Sequence, residues 1–249
     1  MQYKAIVHSV VKKWKSTFNH AVLEVLWQND GEQTQLDVLT AELIKLKSKS
    51  VYLGFVNRLT VRPVCEKLFA ETFGVEEDEW SQIYLMPFKC TIEVKMRVFQ
   101  FKVSHNILYT NDRLYKMKVT DSLTCTFCQA EIETPVHLFY ECNVTSKLRQ
   151  ELVEIISTQF CVGFGDFTRK RVMLGFIKDW KGPNRTLLNH LVLLYKRYIY
   201  VQKMKGSTLA LDGLLSFIRY IKNIELKIAK QNNRETIHYQ KWFPIETIL

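Results

Sequence analysis

Cys125-Thr-Phe-Cys128, eight residues, and then His137-Leu-Phe-Tyr-Glu-Cys142 is the stretch from which the rest of this chain is read. Two thiols separated by two residues form a knuckle that offers both sulfurs to one metal. A His and a Cys separated by four residues can approach from a following helical turn. Together they make a complete tetrahedral set for zinc. The set is closed, with no position left for water, so it predicts one structural Zn2+ at Cys125, Cys128, His137 and Cys142 rather than zinc catalysis. Nucleobase deaminases need His-x-Glu and Pro-Cys-x-x-Cys, whereas Phe139 stands two after His137 and Thr124 precedes Cys125.

Outward from the knuckle the charge changes sign. Between Val119 and Cys142 lie Asp121, Glu131, Glu133 and Glu141 with no Lys or Arg, and three thiolates on Zn2+ would add a further negative charge. The segment 89–118 instead carries Lys89, Lys95, Arg97, Lys102, Arg113, Lys116 and Lys118 against Glu93 and Asp112. The segment 169–205 carries Arg169, Lys170, Arg171, Lys178, Lys181, Arg185, Lys196, Arg197, Lys203 and Lys205 against Asp179 alone. A negative knuckle repels phosphate, so the metal is expected to clamp the chain while the basic flanks meet a polyanion. The residues expected at nucleic acid are Lys95, Arg97, Lys102, Lys116, Lys118, Arg169, Lys170, Arg171, Lys196, Arg197, Lys203 and Lys205. Tyr195, Tyr198 and Tyr200 beside Lys196 and Arg197 offer base stacking, although Tyr195 and Tyr198 share a helix face and core packing explains them equally well.

Composition is consistent with this reading. The 249 residues carry 35 basic and 25 acidic side chains, a net charge of +10, and are 47% hydrophobic, which argues against wholesale disorder. The N-terminus lacks an uninterrupted apolar region followed by a cleavage site, so no secretory signal is expected. The run Leu187 to Val201 is broken by His190, Lys196 and Arg197 and falls short of a bilayer span. An intracellular, nuclear or cytoplasmic location without membrane association follows. In such a reducing compartment the spaced cysteines are metal ligands more naturally than disulfides.

Along the chain, residues 1–50 hold a basic run at Lys12, Lys13 and Lys15, a turn at Asn29-Asp30-Gly31 that favours a short hairpin, and a helical pattern from Leu36 to Leu46. Residues 51–160 form a helical region containing the knuckle, 125–142, and residues 161–249 a basic helical region packed with it. Pro63 interrupts any helix through 51–73. The acids Glu76 to Glu79 suit a helix N-terminus ahead of Trp80; a metal or basic-peptide site is the other reading. In 89–118 two apolar rows, Val94, Val98, Phe101 and Leu108, and Met96, Phe99, Val103 and Ile107, predict a helix buried on much of its circumference. Further helices are expected over 147–160, 187–204 after the Gly182-Pro183-Asn184 turn, and 211–230 with Asp212 near its start. The fold class is mainly α, a helical domain organised around a Cys-Cys-His-Cys zinc knuckle with a short N-terminal hairpin.

The order and spacing of these pieces resemble a known family. Lys89 to His105 as an apolar and basic helix, Asp121-Ser-Leu-Thr before the Cys pair, Glu133-Thr134, His137-Leu-Phe and Cys142 resemble the zinc-binding tail of LINE-type (non-LTR) retrotransposon reverse transcriptases. Leu174-Gly175, Tyr198-Ile-Tyr200 and Lys241-Trp-Phe-Pro244 extend the likeness over roughly 51–245. Tyr140 departs from it, standing where a Trp is often found. The resemblance implies a tail that binds element RNA and target DNA during target-primed reverse transcription, with the polymerase part of a parent polyprotein as partner. A detached or host-retained protein-interaction module is the alternative. A polymerase needs adjacent aspartates for its metals, and the chain has no Asp-Asp. No enzymatic activity is therefore expected of it.

Overall fold

Helix α7 (Arg185–Lys205) is buried along almost its whole length, and the other helices are laid around it. From Leu187 to Lys196 every residue is buried, which places the most apolar run of the sequence at the centre of the core rather than in a membrane. The computed structural model describes residues 62–178 and 180–248, which belong to one compact unit beginning at Arg62. The expected hairpin at Asn29-Asp30-Gly31, the basic run Lys12, Lys13 and Lys15, and the 36–46 helix lie outside the described residues.

The elements in order are α1 (Val64–Phe73), α2 (Trp80–Cys90), α3 (Val94–Ser104), α4 (Asn111–Lys116), the metal knuckle, α5 (Asn143–Phe160), α6 (Arg169–Leu174), α7, α8 (Leu211–Gln231) and α9 (Glu235–Trp242). Among the described residues extended pairing is limited to one antiparallel bridge, Thr124 with Ile132. The fold is thus mainly helical. Helix α7 packs on α2, α3, α5, α8 and α9, so helices from 161 onward share a core with those before it.

Local chemistry accounts for the boundaries. Pro63 precedes α1 with φ −55° and ψ 135°, and Gly74 ends that helix in the left-handed conformation at φ 62°. The acids ahead of Trp80 form a capping box in which Glu79 accepts from the Glu76 N–H at 2.8 Å. Gly175, at φ +97°, breaks the chain after α6. A Cβ there would lie 2.8 Å from Met86 Cε and 2.9 Å from Asn189 Oδ1. Glycine therefore lets the backbone reach Asn189, whose amide brackets Phe176 by accepting from its N–H at 2.7 Å and donating to its carbonyl at 2.9 Å.

Two expectations are corrected. The 89–118 segment is not one helix, because Thr91 is extended (φ −140°, ψ 148°) and separates α2 from α3. Nor is α3 buried all round. Met96, Phe99 and Val103 enter the core, while Val94, Val98 and Phe101 are 65%, 47% and 51% exposed. Asp212 stands where expected, as the acid in the first turn of α8, while Ala210 occupies the capping position.

Candidate metal centre and basic surface

The knuckle is a tight loop pinned by its own backbone. Cys125 N–H donates to Glu131 carbonyl at 2.8 Å, Gln129 N–H to Cys125 carbonyl at 2.9 Å, and Glu133 N–H to Leu123 carbonyl at 2.9 Å. Gln129 takes a positive φ of 56° to turn the chain between the second Cys and the returning strand-like segment.

The His137–Cys142 half depends on a different device. In a regular α-helix a residue five positions on is rotated by about 140°, so it would face away. Residues His137–Glu141 instead form a single π-helical turn, closed by Cys142 N–H donating to His137 carbonyl at 2.8 Å. The wider turn brings both side chains to one side. Thr134 Oγ1 starts it by accepting from His137 N–H at 3.0 Å, and Leu138 and Phe139, both fully buried, anchor it. Carbonyls on the turn find side-chain partners. Arg149 donates to those of Phe139 (3.3 Å) and Tyr140 (3.0 Å), and Tyr195 hydroxyl donates to Phe139 carbonyl at 3.2 Å and Thr145 carbonyl at 2.9 Å.

The four ligand atoms lie within 4.8 Å of one another. Cys125 Sγ and Cys142 Sγ are 3.9 Å apart, and Cys128 Sγ and His137 Nε2 are 3.4 Å apart. Zn–S and Zn–N bonds of ordinary length at tetrahedral angles require about 3.8 and about 3.6 Å, so the donor set fits zinc. The hydrogen bond from Cys125, and then the N–H groups of Thr145 and Val144, pull the Cys142 thiol below the ordinary thiol range against the effect of burial. Cys125, the donor in that pair and largely buried, is pushed up. A bound metal would replace the proton these sulfurs share and cross-link the loop to the start of α5.

Sequence reading missed two groups that hold this centre. Glu133, one of the acids that make the knuckle sequence negative, is completely buried. Its carboxylate accepts from Asn111 N–H (3.0 Å), Thr126 N–H (2.8 Å) and Thr126 hydroxyl (2.7 Å), and pairs with Lys203 at 3.0 Å. The Glu133-Thr134 dipeptide is thus a structural anchor followed by a turn cap. Arg149, 3% exposed, stacks over Tyr140 at 4.4 Å and is in no ion pair among the described residues. It puts a positive charge beside a site whose metal-loaded charge would be negative. Its place two turns after Cys142 is the one signal that could have found it.

The expected nucleic-acid residues divide sharply. Lys196 is 1% exposed and donates to Gln100 Oε1 at 2.7 Å and Met173 carbonyl at 3.0 Å, a position no phosphate reaches. Burial drives its ammonium down to about 7. Lys203 is buried on Glu133, and Lys170 bridges to the buried Glu79 at 2.7 Å. Arg169 pairs with Glu141 at 3.0 Å, and Arg171 with Asp166 at 3.4 Å. Arg197 lies over the Phe99 ring, and Lys205 is exposed. Tyr195 and Tyr198 are core residues, and Tyr200 is half-buried against Phe99. In the other flank Lys95, Lys116 and Lys118 are exposed and Arg97 and Lys102 half-exposed. Among the described residues none of these five makes an ion pair.

The fold and site together define a helical module whose Cys3His cluster suits a closed structural zinc. Residues 60–148, which contain all four ligands, match the family described as zinc-binding in reverse transcriptase. The match covers a zinc-binding region and no catalytic one, and it stops short of Leu174-Gly175 and the later pieces. No curated protein matches the chain. Among the described residues no helix is long and apolar enough to cross a membrane.

Proposed function

We propose that this chain is a zinc-stabilised, nucleic-acid-binding tail of a non-LTR, LINE-type retrotransposon reverse transcriptase, positioning element RNA or target DNA for target-primed reverse transcription. The observation that carries the nucleic-acid reading is the set of cations on α3 and α4, Lys95, Arg97, Lys102 and Lys116, with Lys118 just beyond, that make no ion pair among the described residues. Cations held by carboxylates have little left to offer phosphate, whereas unpaired ones release counterions on binding. The polymerase part of a parent polyprotein is the proposed protein partner, and one Zn2+ the proposed cofactor, held by Cys125, Cys128, His137 and Cys142. The test is metal content measured alongside RNA and DNA binding of the purified chain over a salt series. Zinc with salt-dependent binding supports the reading. Zinc without nucleic-acid binding favours a protein-interaction module, for which the exposed apolar row Val94, Val98 and Phe101 is the supporting feature.

A further inference from the structure

One series of aromatic rings leaves the core and ends at the basic surface. Phe69 stacks on Trp80 at 6.4 Å, Trp80 meets Tyr84 at 5.6 Å, Tyr84 stacks on His105 at 5.4 Å, and His105 stacks on Phe101 at 3.8 Å. Phe69 is 2% exposed and Phe101 51%. The outermost ring is therefore rigidly backed yet open to solvent.

Two more exposed rings lie nearby, each under a cation. Arg97 sits 5.1 Å over the ring of Phe88, which is 60% exposed, and Lys102 sits 5.8 Å over that of Tyr109, which is 48% exposed. Arg97 lies one helical turn before Phe101, and Lys102 immediately follows it. Arg97 is oriented by donating Nε–H to Thr91 carbonyl at 2.9 Å, and among the described residues its outer guanidinium nitrogens meet no carboxylate. Exposed phenyl rings are costly in water, and a protein partner chosen for an apolar face would not require a cation at each ring.

We infer that the surface formed by α2, α3 and the segment just after α3, bearing Phe88, Arg97, Phe101, Lys102, His105 and Tyr109, is a stacking ledge for single-stranded nucleic acid. Phosphates lie along Arg97 and Lys102, and unpaired bases extend the ring series from Phe101. A duplex keeps its bases stacked inside and cannot use these rings. The inference rests on the nucleic-acid reading above and narrows it to strand form and location.

The test uses the full zinc-loaded chain and fluorescence anisotropy with three probes: an oligo(dT) strand, an abasic strand of the same length, and a duplex of the same length. Wild-type protein binds oligo(dT) tightest. Combining Phe88→Leu with Phe101→Leu, at positions too exposed to carry the fold, weakens oligo(dT) binding about tenfold or more. It leaves the salt dependence and the abasic-strand affinity unchanged. Lys95→Gln with Lys102→Gln weakens binding to all three probes. If the Phe variant binds oligo(dT) like wild type, or wild type binds the abasic strand equally well, the ledge is refuted while the nucleic-acid reading stands. If wild type binds none of the probes, both readings fail.

Discussion

Lys203 Nζ lies 3.0 Å from the carboxylate of Glu133, and both side chains are buried at the point where the knuckle meets the central helix. Lys203 also donates to Asn111 Oδ1 at 2.9 Å, while Glu133 accepts from Asn111 and Thr126. One ion pair thus fastens the metal loop to α4 and α7 together. Removing one partner leaves the other charged and buried, so Glu133→Gln or Lys203→Met should each destabilise the protein by about 3–5 kcal/mol. The double variant should cost less than the sum of the two. Chemical denaturation of the four proteins checks this; strictly additive losses would show that the pair is not coupled. Glu131, which is exposed, should tolerate Gln with zinc retained.

Metal analysis of the purified chain should find one zinc, lost in Cys128→Ser and in Cys142→Ser. Ligand thiols bind zinc as thiolates, so affinity falls as pH falls. Chelation or acidification should raise hydrogen exchange through at least residues 119–150. A metal-free wild-type protein with full protection there would contradict the assignment.

The two basic flanks should behave differently under mutation. Lys95→Gln with Lys102→Gln should lower the log–log salt slope of nucleic-acid binding by roughly 0.7 to 0.9 for each phosphate contact removed. Lys170→Gln strips the buried Glu79 of its cation and should reduce stability on the order of 2 kcal/mol, with little change in slope. Binding series and denaturation curves on both variants separate the two effects.

Lys196 gives stability a pH dependence. Its pKa is about 7 in the folded protein against 10.5 ordinarily, so between these values the unfolded chain binds the extra proton. Stability from this group should therefore rise with pH from about 7 to about 10 and be poorest below 7. Lys196→Met should flatten that rise. Urea denaturation of wild type and variant across the window reads the difference, and parallel curves would mean that Lys196 keeps an ordinary pKa.

Primer extension on an RNA template with Mg2+ or Mn2+, and cleavage or deamination of labelled single strands by zinc-loaded protein, should remain at background. Activity abolished by a folded His137→Ala variant would show that the metal does chemistry.

Much of the centre was legible in sequence because it is local. The four ligands, the helical periods, and Gly175 lie in short stretches whose spacing constrains geometry directly. The π-helical turn is implicit in His-x4-Cys, since an ordinary helix would turn Cys142 away from His137. Glu133 was visible as a residue but not as a buried anchor, because its cation arrives from Lys203 on a distant helix.

What the sequence by itself determined is the Cys3His donor set, the helical class and the excess of positive charge. What only the tertiary structure decided is which of those charges face solvent. The 169–205 segment is the more basic, yet Lys170 meets Glu79 from 91 positions earlier, Lys203 meets Glu133, and Lys196 is enclosed by Gln100 and Met173. Among the described residues the cations of the less basic α3–α4 segment make no ion pair. Net charge is a sum over residues, but exposed charge depends on contacts between residues far apart in the chain, and those exist only once the helices have packed around α7.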